Sequence, residues 1–292
     1  MLAMLANPTI DGQMVVNGLS LSAIYILVAL GFTLLFGIMR VVNFAHGEFA
    51  MLGGFALYYL YGTFHVPWLL AVVLGALLVA IPSLILEWLV FRWFYQKMFQ
   101  SMIGLLGLST VMTFSSLLIW DAFQRHIPRA FNASIRTHGL ILPGDRLVVI
   151  AVAAVTLALF WLLMVRTRVG LAMRATAEDM EIAETQGIDT RFVYRAAFFV
   201  AIFLAALAGG LYAQIYAVSP FMGERPLLVA FIVVILGGMG SIPGAALGGV
   251  ILGFTESILG TMFGGSYASY ASFGVVVLLL IFRPWGLLGT PE

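Results

Sequence analysis

The side chains on which most enzyme chemistry depends are sparse in this sequence. Cysteine is absent, which excludes disulfides, thiolate metal sites and thiol nucleophiles. The only lysine, Lys97, stands in FYQKMF, so the chain lacks a glycine-rich phosphate loop that ends in lysine. The four histidines are dispersed and give no metal-ligand spacing. The sequence therefore predicts no catalytic residue, no metal site and no cofactor, and it excludes an ATPase site in this chain.

Charge is concentrated in one polar segment, residues 166–195, which reads RTRVGLAMRATAEDMEIAETQGIDTRFVYR. It holds five arginines and five carboxylates, although the charged fraction of the whole chain is 9%. Thr176 and Asp179 have the spacing of a helix start, in which each side chain bonds the other residue's amide. Gly187 favours a helix end, because glycine adopts the left-handed conformation without steric cost. The pattern predicts a helix over 177–186, about 15 Å long, which is too short and too charged to span a bilayer.

This predicted helix has two unlike faces. Its small and apolar residues recur at three- and four-residue spacing and form a smooth stripe. The stripe consists of Ala177, Met180, Ala183 and Gly187. The opposite side carries Glu178, Glu181 and Thr185. Two interpretations fit: a solvated helix in a loop between two membrane spans, or a docking helix that offers small residues and carboxylates to a groove on a soluble partner.

The composition is that of a membrane protein. Hydrophobic residues make up 62% of the chain and the mean hydropathy is +1.08, whereas soluble domains are about 45–50% apolar. The net charge of +1 and the lack of a basic cluster give no indication of nucleic-acid binding. We therefore expect an all-α, polytopic transmembrane bundle in contact with lipid. The N-terminal MLAMLANPTIDGQ lacks a basic region and a long apolar core, so no signal peptide is predicted.

Apolar windows of about 20 residues predict eight or nine membrane spans in a single transmembrane domain, residues 1–292. The windows lie near 14–38, 43–62, 67–92, 101–120, 147–165, 192–217, 226–241, 245–263 and 268–283. The window 226–241 is short, which favours a re-entrant or broken helix. The longest loop on the side opposite the polar segment is 121–146, either an ordered cap that a soluble partner contacts or an ordinary connection.

The basic residues predict an orientation, because cytoplasmic loops are enriched in arginine and lysine. With 166–195 placed inside, alternation puts nine basic residues in the cytoplasm. The outside then receives five: Arg125, Arg129, Arg136, Arg146 and Arg225. This bias predicts an extracytoplasmic N-terminus, a cytoplasmic C-terminus and a cytoplasmic short helix.

Four polar residues crowd the junction of the first two predicted spans: Arg40, Asn43, His46 and Glu48. A charge at the membrane centre costs roughly 2.5–3.5 kcal/mol on insertion scales, so such residues need a partner or water. They either tie a tight turn at the cytoplasmic surface, with Arg40 pairing Glu48, or line the inner mouth of a translocation path as a gate. Glu256 is the only charge in its window, and a structural hydrogen bond there is favoured over substrate contact.

Two glycine-rich stretches have a similar layout, Gly31–Phe55 and Leu236–Gly253. Each has a polar break followed by a small-residue helix of the kind that packs closely in membranes. This similarity indicates an internal structural repeat, which many transporters contain.

The string RVVNFAHGEFAMLGG resembles the signature R-x-x-N-F-A-H-G-[DE]-x-x-M-L-G of branched-chain amino-acid permeases, which are subunits of bacterial ABC importers. Glu181-Ile182-Ala183 followed by Gly187 is similar to the E-A-A-x-x-x-G coupling motif of such permeases, and the C-terminal RPWGLLG extends the likeness over nearly the whole chain. Ile182 departs from the general motif, which has alanine there. The later I-x-L-P part is also absent, which suits the branched-chain subgroup.

The resemblance implies an inner-membrane permease that forms half of a path for branched-chain or other hydrophobic amino acids; relatives also carry urea, amides and aromatic acids. It implies a homologous second permease, two cytoplasmic ATP-binding subunits that hydrolyse ATP, and an extracytoplasmic solute-binding protein. The ATPase-coupling residues would be Glu178, Asp179, Met180, Glu181, Ala183 and Gly187. A stand-alone channel or ion-coupled carrier is the alternative, although only Glu256 offers an ion ligand within a span. An integral-membrane transferase would need clustered acidic or histidine residues that the sequence lacks.

Overall fold

The computed structural model describes residues 8–131, 134–137 and 140–265, and beyond them 270, 273–274, 277–278, 281–283 and 285–289. The first helices are α1 (Pro8–Met39), α2 (His46–Leu57), α3 (Trp68–Leu89) and α4 (Met98–Trp120). The remaining helices are α5 (Gly144–Arg166), α6 (Arg168–Glu178), α7 (Met180–Thr185), α8 (Thr190–Ile215), α9 (Glu224–Gly237) and α10 (Ile242–Phe263). A π-helical segment, Tyr58–Thr63, continues α2, and a 3₁₀ turn, Phe91–Trp93, follows α3.

The helices α1 and α8 form the centre of the bundle. Both are mostly buried, and α1 is apolar around its whole circumference, as expected of a helix surrounded by others. Glycine allows α2 to approach α8 closely: a Cβ on Gly53 would lie 2.0 Å from the Ala206 carbonyl oxygen. By contrast, α4 leaves most of its large apolar side chains exposed. The bundle therefore has a tight core and an outer layer of apolar helices suited to lipid or to other membrane subunits.

Six helices in the described part of the chain are long and apolar enough to cross a membrane: α1, α3, α4, α5, α8 and α10. The helical membrane fold is therefore as predicted, but the count of eight or nine spans is not confirmed. The windows 43–62 and 226–241 hold only the short helices α2 and α9. The window 268–283 lies largely outside the described residues.

The first short helix, α2, begins inside the bundle. After α1 ends, residues 40–45 run back along it, and His46 Nε2 lies 3.0 Å from the Val28 carbonyl oxygen. Val28 precedes the end of α1 by eleven residues, which corresponds to about 16 Å along the helix axis. The helix α2 therefore starts part-way along α1 and is too short to span the bilayer on its own.

The second short helix, α9, also begins inside the bundle, but its chain enters from the other end. Residues 216–223 follow α8, pass the bridge between Arg125 and Val218 and turn inward to Gly223. Gly223 contacts Gly47 in the first turn of α2. The two short helices therefore start at the same depth. Because their chains enter the bundle from opposite ends, α2 and α9 extend from this contact in opposite directions. The two stretches that the sequence paired, Gly31–Phe55 and Leu236–Gly253, each hold the end of one helix, a break and the start of the next. The first leads into the short α2 and the second into α10, which is long enough to cross a membrane. The internal repeat stays a prediction.

The two ends of the bundle differ. The α7 end carries α6, α7, Arg40 and Gln96, as hydrogen bonds from Gln96 to Met39 and Tyr194 show. The hairpin end carries β1 (Ser134–Thr137) and β2 (Leu140–Pro143), paired antiparallel with Ser134 opposite Pro143. The helical prediction thus lacked a small hairpin in the 121–146 loop. That loop is tied to the bundle, because Arg125 pairs with Val218 and Tyr61 donates to the Arg129 carbonyl oxygen.

Candidate functional site

The short helix of the polar segment, α7, starts later than the sequence predicted. Asp179, in extended conformation, caps α7 and accepts a hydrogen bond from the Ile182 amide at 2.9 Å. Thr176 lies inside the preceding helix α6, where its hydroxyl donates to the Ala172 carbonyl oxygen at 2.9 Å. Thr176 and Asp179 were both possible caps from the sequence. Asp179 is the actual cap, and the helix is interrupted there, between α6 and α7. Gly187 ends the segment in the left-handed region at φ 83°, as predicted.

The predicted smooth stripe is only partly exposed: Ala177 and Gly187 lie at the surface, whereas Met180 and Ala183 contact the bundle. Ala183 is 3% exposed and packs into the bundle, and the Met180 sulfur accepts a hydrogen bond from the Tyr194 hydroxyl at 2.9 Å. The exposed residues of this segment also include Glu178, Asp179, Glu181, Ile182, Glu184, Thr185 and Gln186. Ile182 is 60% exposed and is the one large apolar side chain among them. Sequence reasoning treated Ile182 as a departure from a motif; the structure shows it as an exposed apolar side chain among charged ones.

Side chains from three elements tie α7 to the bundle. Tyr194 of α8, which contacts Met180, also accepts a hydrogen bond from Gln96 Nε2 at 3.0 Å, and its ring packs 4.6 Å from that of Tyr95. The Tyr95 hydroxyl donates to Glu87, at the end of α3, and Glu87 lies 3.6 Å from Arg195. Burial, together with the Glu87 carboxylate, raises the pKa of the Tyr95 hydroxyl well above its usual value, so it stays a neutral donor. These contacts link α7 to α3 and α8, so a displacement of α7 would also move side chains of those two helices.

A second tie joins α7 to the start of α8. The Thr190 hydroxyl donates to Glu184 Oε1 at 2.7 Å. Asp189 caps α8 by accepting hydrogen bonds from the amides of Arg191 and Phe192. The short turn between the two helices is thus held at both sides, which fixes the angle at which α7 projects from the bundle.

The polar residues at the start of α2 do not form the surface turn that was one of the two predictions. Arg40 is exposed at the α7 end, whereas His46 and Glu48 are buried deeper in the bundle. Glu48 Oε1 accepts a hydrogen bond from the Ser109 hydroxyl of α4 at 3.2 Å. Within the described chain no ion pair joins Arg40 to Glu48. Asn43 accepts the Ala45 amide at 3.0 Å and so shapes the turn that starts α2.

The turn before α2, together with the first residues of that helix, contains buried polar atoms that the protein leaves without partners. A carbonyl oxygen only accepts, so the contact with Val28 places the His46 proton on Nε2 and makes Nδ1 an acceptor. Within the described chain, His46 Nδ1, Asn43 Nδ2 and Glu48 Oε2 have no hydrogen-bond partner. Unsatisfied buried groups cost about 1–3 kcal/mol each, so three of them close together call for an explanation, of which a functional role is one. The turn before α2 is therefore a candidate site.

Glu256 is tied to two other helices. The Tyr25 hydroxyl of α1 donates to Glu256 Oε2, and Arg225 of α9 forms an ion pair with Oε1. Glu256 lies fourteen residues beyond the start of α10 and is 8% exposed. The predicted structural hydrogen bond is therefore present. Arg225 lies at this depth, and its predicted place in an outer loop is wrong, because the chain before α9 turns into the bundle.

A cavity of about 530 Å³ lies beside Arg225. Its wall is built from the end of α8, residues 216–222, the first turn of α9 and Gln124 of the loop after α4. Charged and polar side chains, Glu224, Arg225, Ser219 and Gln124, face apolar ones, Phe221, Met222 and Leu228. In the described part of the chain no group of three His, Cys, Asp or Glu side chains could hold a metal ion.

A bundle of long apolar helices agrees with the comparison to known families. Residues 14–282 match the family described as branched-chain amino acid transport system, permease component. The chain belongs to this permease family. In the permease, the stretch 40–54 that resembles the family signature forms the turn before α2 and most of α2 itself. The end of the permease's RPWGLLG motif bonds to the end of α9, through the amides of Leu287 and Leu288.

Curated relatives are similar along nearly the whole permease. The high-affinity branched-chain amino acid transport system permease protein LivH of Escherichia coli (strain K12) is 32% identical over 306 residues, 96% of each chain. The protein BraD of the corresponding Pseudomonas aeruginosa system is 30% identical over 297 residues, again 96% of each chain. The permease protein LivM of E. coli is 29% identical over 173 residues, 58% of this chain and 38% of LivM. No solved structure is significantly similar to the permease.

Proposed function

We propose that this permease forms half of the translocation path of an ATP-driven importer for branched-chain or other hydrophobic amino acids. The likeness to LivH and BraD over 96% of each chain supports the substrate class. The single structural observation that carries the proposal is α7, a short helix tied to α3 and α8 that presents a charged face with one exposed isoleucine. A channel or ion-coupled carrier has no use for such a helix.

The exposed face of α7 is the surface that docks on an ATP-binding subunit. Ile182 enters an apolar depression, while Glu178, Asp179 and Glu181 meet basic or amide groups around it. Ala183, Met180 and Gly187 contribute from behind: the first two hold α7 against α8, and Gly187 ends the helix. This division of roles replaces the smooth stripe predicted from sequence, because Ala183 is buried within the chain.

The complete importer contains two permeases, two cytoplasmic ATP-binding subunits and an extracytoplasmic solute-binding protein. The second permease is a homologue of the LivM type, which the partial similarity to LivM supports. The whole chain, 1–292, is one transmembrane domain in the bacterial inner membrane. Its α7 end faces the cytoplasm and its N-terminus lies outside, with the 121–146 loop facing the binding protein. Nucleic acid has no part in this assembly.

The turn before α2 forms a gate in the path. Arg40 lies at the mouth on the α7 end, and Asn43, His46 and Glu48 lie deeper, where the ends of two short helices meet. The buried polar atoms without protein partners support a role in contact with water or solute during transport. Glu256 belongs to the path through its ion pair with Arg225 at the cavity.

Reconstitution tests the proposed function. The permease, a LivM-type partner, the ATP-binding subunits and the binding protein are placed in proteoliposomes, and uptake of radiolabelled leucine is measured with ATP inside. Uptake that needs ATP and the binding protein is the expected result. Uptake by the permease alone, driven by an ion gradient, would show that the carrier interpretation is correct.

A further inference from the structure

The cavity beside Arg225 combines charges of both signs with apolar surface at the start of α9. Glu224 and Arg225 are consecutive residues, and both line it. Glu224 is exposed, and the Arg225 side chain is 41% exposed although it contacts Glu256. One anion and one cation that face the same space are complementary to a ligand that carries both charges on neighbouring atoms.

We propose that this cavity binds the charged end of a zwitterionic α-amino acid, with its carboxylate on Arg225 and its ammonium group on Glu224. The proposal rests on the proposed function and adds to it a binding site within the membrane chain. A path lined mainly by apolar and small residues, with no charged contact, is a simpler expectation for substrates with an apolar side chain. The charged lining of the cavity argues against that expectation.

The neighbours of Arg225 hold its guanidinium in place at the wall of the cavity. Glu256 holds it from the α10 side, and Tyr25 in turn holds Glu256. The ring of Tyr216 lies 5.9 Å from the Arg225 Cζ atom, within the range of a cation–π contact. A guanidinium has five N–H donors in a fixed plane, so one carboxylate leaves donors for a second. A substrate carboxylate is bound best by such a pre-oriented fork.

The rest of the lining suits an apolar side chain. Phe221, Met222 and Leu228 lie in the same wall as the charged pair, and the rings of Tyr212 and Tyr216 pack 4.6 Å apart beside them. The volume of about 530 Å³ falls within the range of small-molecule sites. Glu224 and Glu256 disfavour simple anions. A zwitterion brings an ammonium group for Glu224 together with its carboxylate for Arg225, so both of its charges find a partner.

The location agrees with this role. The cavity lies where α9 begins inside the bundle, next to the contact between Gly47 and Gly223. In transporters, discontinuous helices commonly place their ends at a substrate site near the middle of the membrane. Gln124 in the wall connects the cavity to the hairpin end, which is the side from which a binding protein would deliver the substrate.

A cysteine-protection experiment tests the site without requiring transport. The chain has no cysteine, so Leu228→Cys, at a residue 62% exposed in the cavity wall, gives a single probe in the complex with its partner subunits but without binding protein. Labelling by a maleimide is timed with and without leucine. At a leucine concentration of about five times Kd, labelling should slow about sixfold. Trp93→Cys, equally exposed in the 3₁₀ turn after α3 and outside the cavity, is the matched control and should label at an unchanged rate.

Ligand analogues and a paired substitution identify the contacts. Leucinamide, which lacks the carboxylate, and 4-methylpentanoate, which lacks the amine, should protect at least about tenfold less well at equal concentration. The double variant Arg225→Gln, Glu256→Gln removes both charges of the ion pair, so neither is left buried alone. It should lose leucine protection while its labelling rate without leucine stays the same.

Each contrary outcome has its own meaning. Absence of leucine protection, equal protection by either analogue, or full protection in the double variant would overturn the site. ATP-driven leucine uptake by the same complex is measured separately. Uptake without protection refutes the site and leaves the proposed function intact, whereas protection without ATP-dependent uptake of any hydrophobic amino acid refutes the proposed function.

Discussion

The backbones of Gly47 and Gly223 touch where α2 and α9 begin: a Cβ on Gly47 would lie 2.1 Å from the Gly223 carbonyl oxygen. No side chain fits between them, so the two short helices meet through backbone alone. Glu48 follows one glycine and Glu224 the other. This contact sets the depth at which the polar turn and the cavity lie.

Gly47→Val should destabilise the permease by about 3 kcal/mol or more, since backbone cannot move aside as a side chain can. The expected result is strongly reduced membrane accumulation and a lower Tm of the detergent-purified protein. The control is Gly107→Val in α4, where an added Cβ meets no atom within 4 Å. Equal stability of the two variants would show that α2 and α9 do not meet as described.

Ile182→Glu should leave the permease folded and abolish its stimulation of the ATP-binding subunits, because a charge replaces the one large apolar side chain on the exposed face of α7. Ala183→Glu should lose both coupling and stability, because it buries a carboxylate against α8. Ile182→Ala, which restores the residue of the general motif, is the control and should keep most of the coupling. ATPase activity and Tm are measured for all three, and normal stimulation in Ile182→Glu would contradict the docking role.

Glu256→Gln should reduce stability by about 1–2 kcal/mol. Breaking a fully buried pair costs about 3–5 kcal/mol, but the partial exposure of Arg225 reduces the cost. Because Glu256 holds Arg225 at the cavity, turnover per folded complex should fall as well, and turnover near the wild-type rate would show that Glu256 only joins helices. Tyr25→Phe removes a hydrogen bond to the same carboxylate without changing charge and provides the comparison. A large loss of turnover in Glu256→Gln with unchanged Tm would assign the carboxylate to the path itself.

Single cysteines should report the proposed orientation. Ser134→Cys should label from outside intact cells with a membrane-impermeant maleimide, while Lys97→Cys and Glu181→Cys should label only after permeabilisation. Glu181 is preferred to Met180, whose sulfur is engaged with Tyr194. Labelling of Glu181→Cys in intact cells would show that the orientation is the opposite one, and it would also contradict the docking proposal.

The sequence was sufficient for the long helices and for the end of the polar segment. Each of the six long helices matches a predicted window, because twenty apolar residues have few other stable arrangements in a bilayer. Gly187 was found because only a residue without a Cβ adopts φ 83° at low cost.

The short helices were harder to predict, because the mean hydropathy of a window does not show how deep in the membrane a helix starts or in which direction it runs. A window such as 43–62 is equally apolar whether its helix crosses the whole membrane or starts inside the bundle. The helix α2 starts inside the bundle, next to Val28 in α1. The ion pair between Arg225 and Glu256 joins residues of two helices, and no spacing along the chain indicates it. The exposed face of α7 was misassigned because small residues suit a tight contact within the chain as well as one with a partner.

The packing of α2 on α8 imposes an order on biosynthesis. Gly53 of α2 and Ala206 of α8 are in contact. Ribosomes synthesise about 5–20 residues per second, so Ala206 is added roughly 8–30 s after Gly53. During that interval α2, with Glu48 and His46 in its first turn, has emerged without the helix that shelters it. It is too short to be held by lipid alone. The nascent permease therefore depends on the insertion machinery, or on delayed entry of this segment, until α8 has been made.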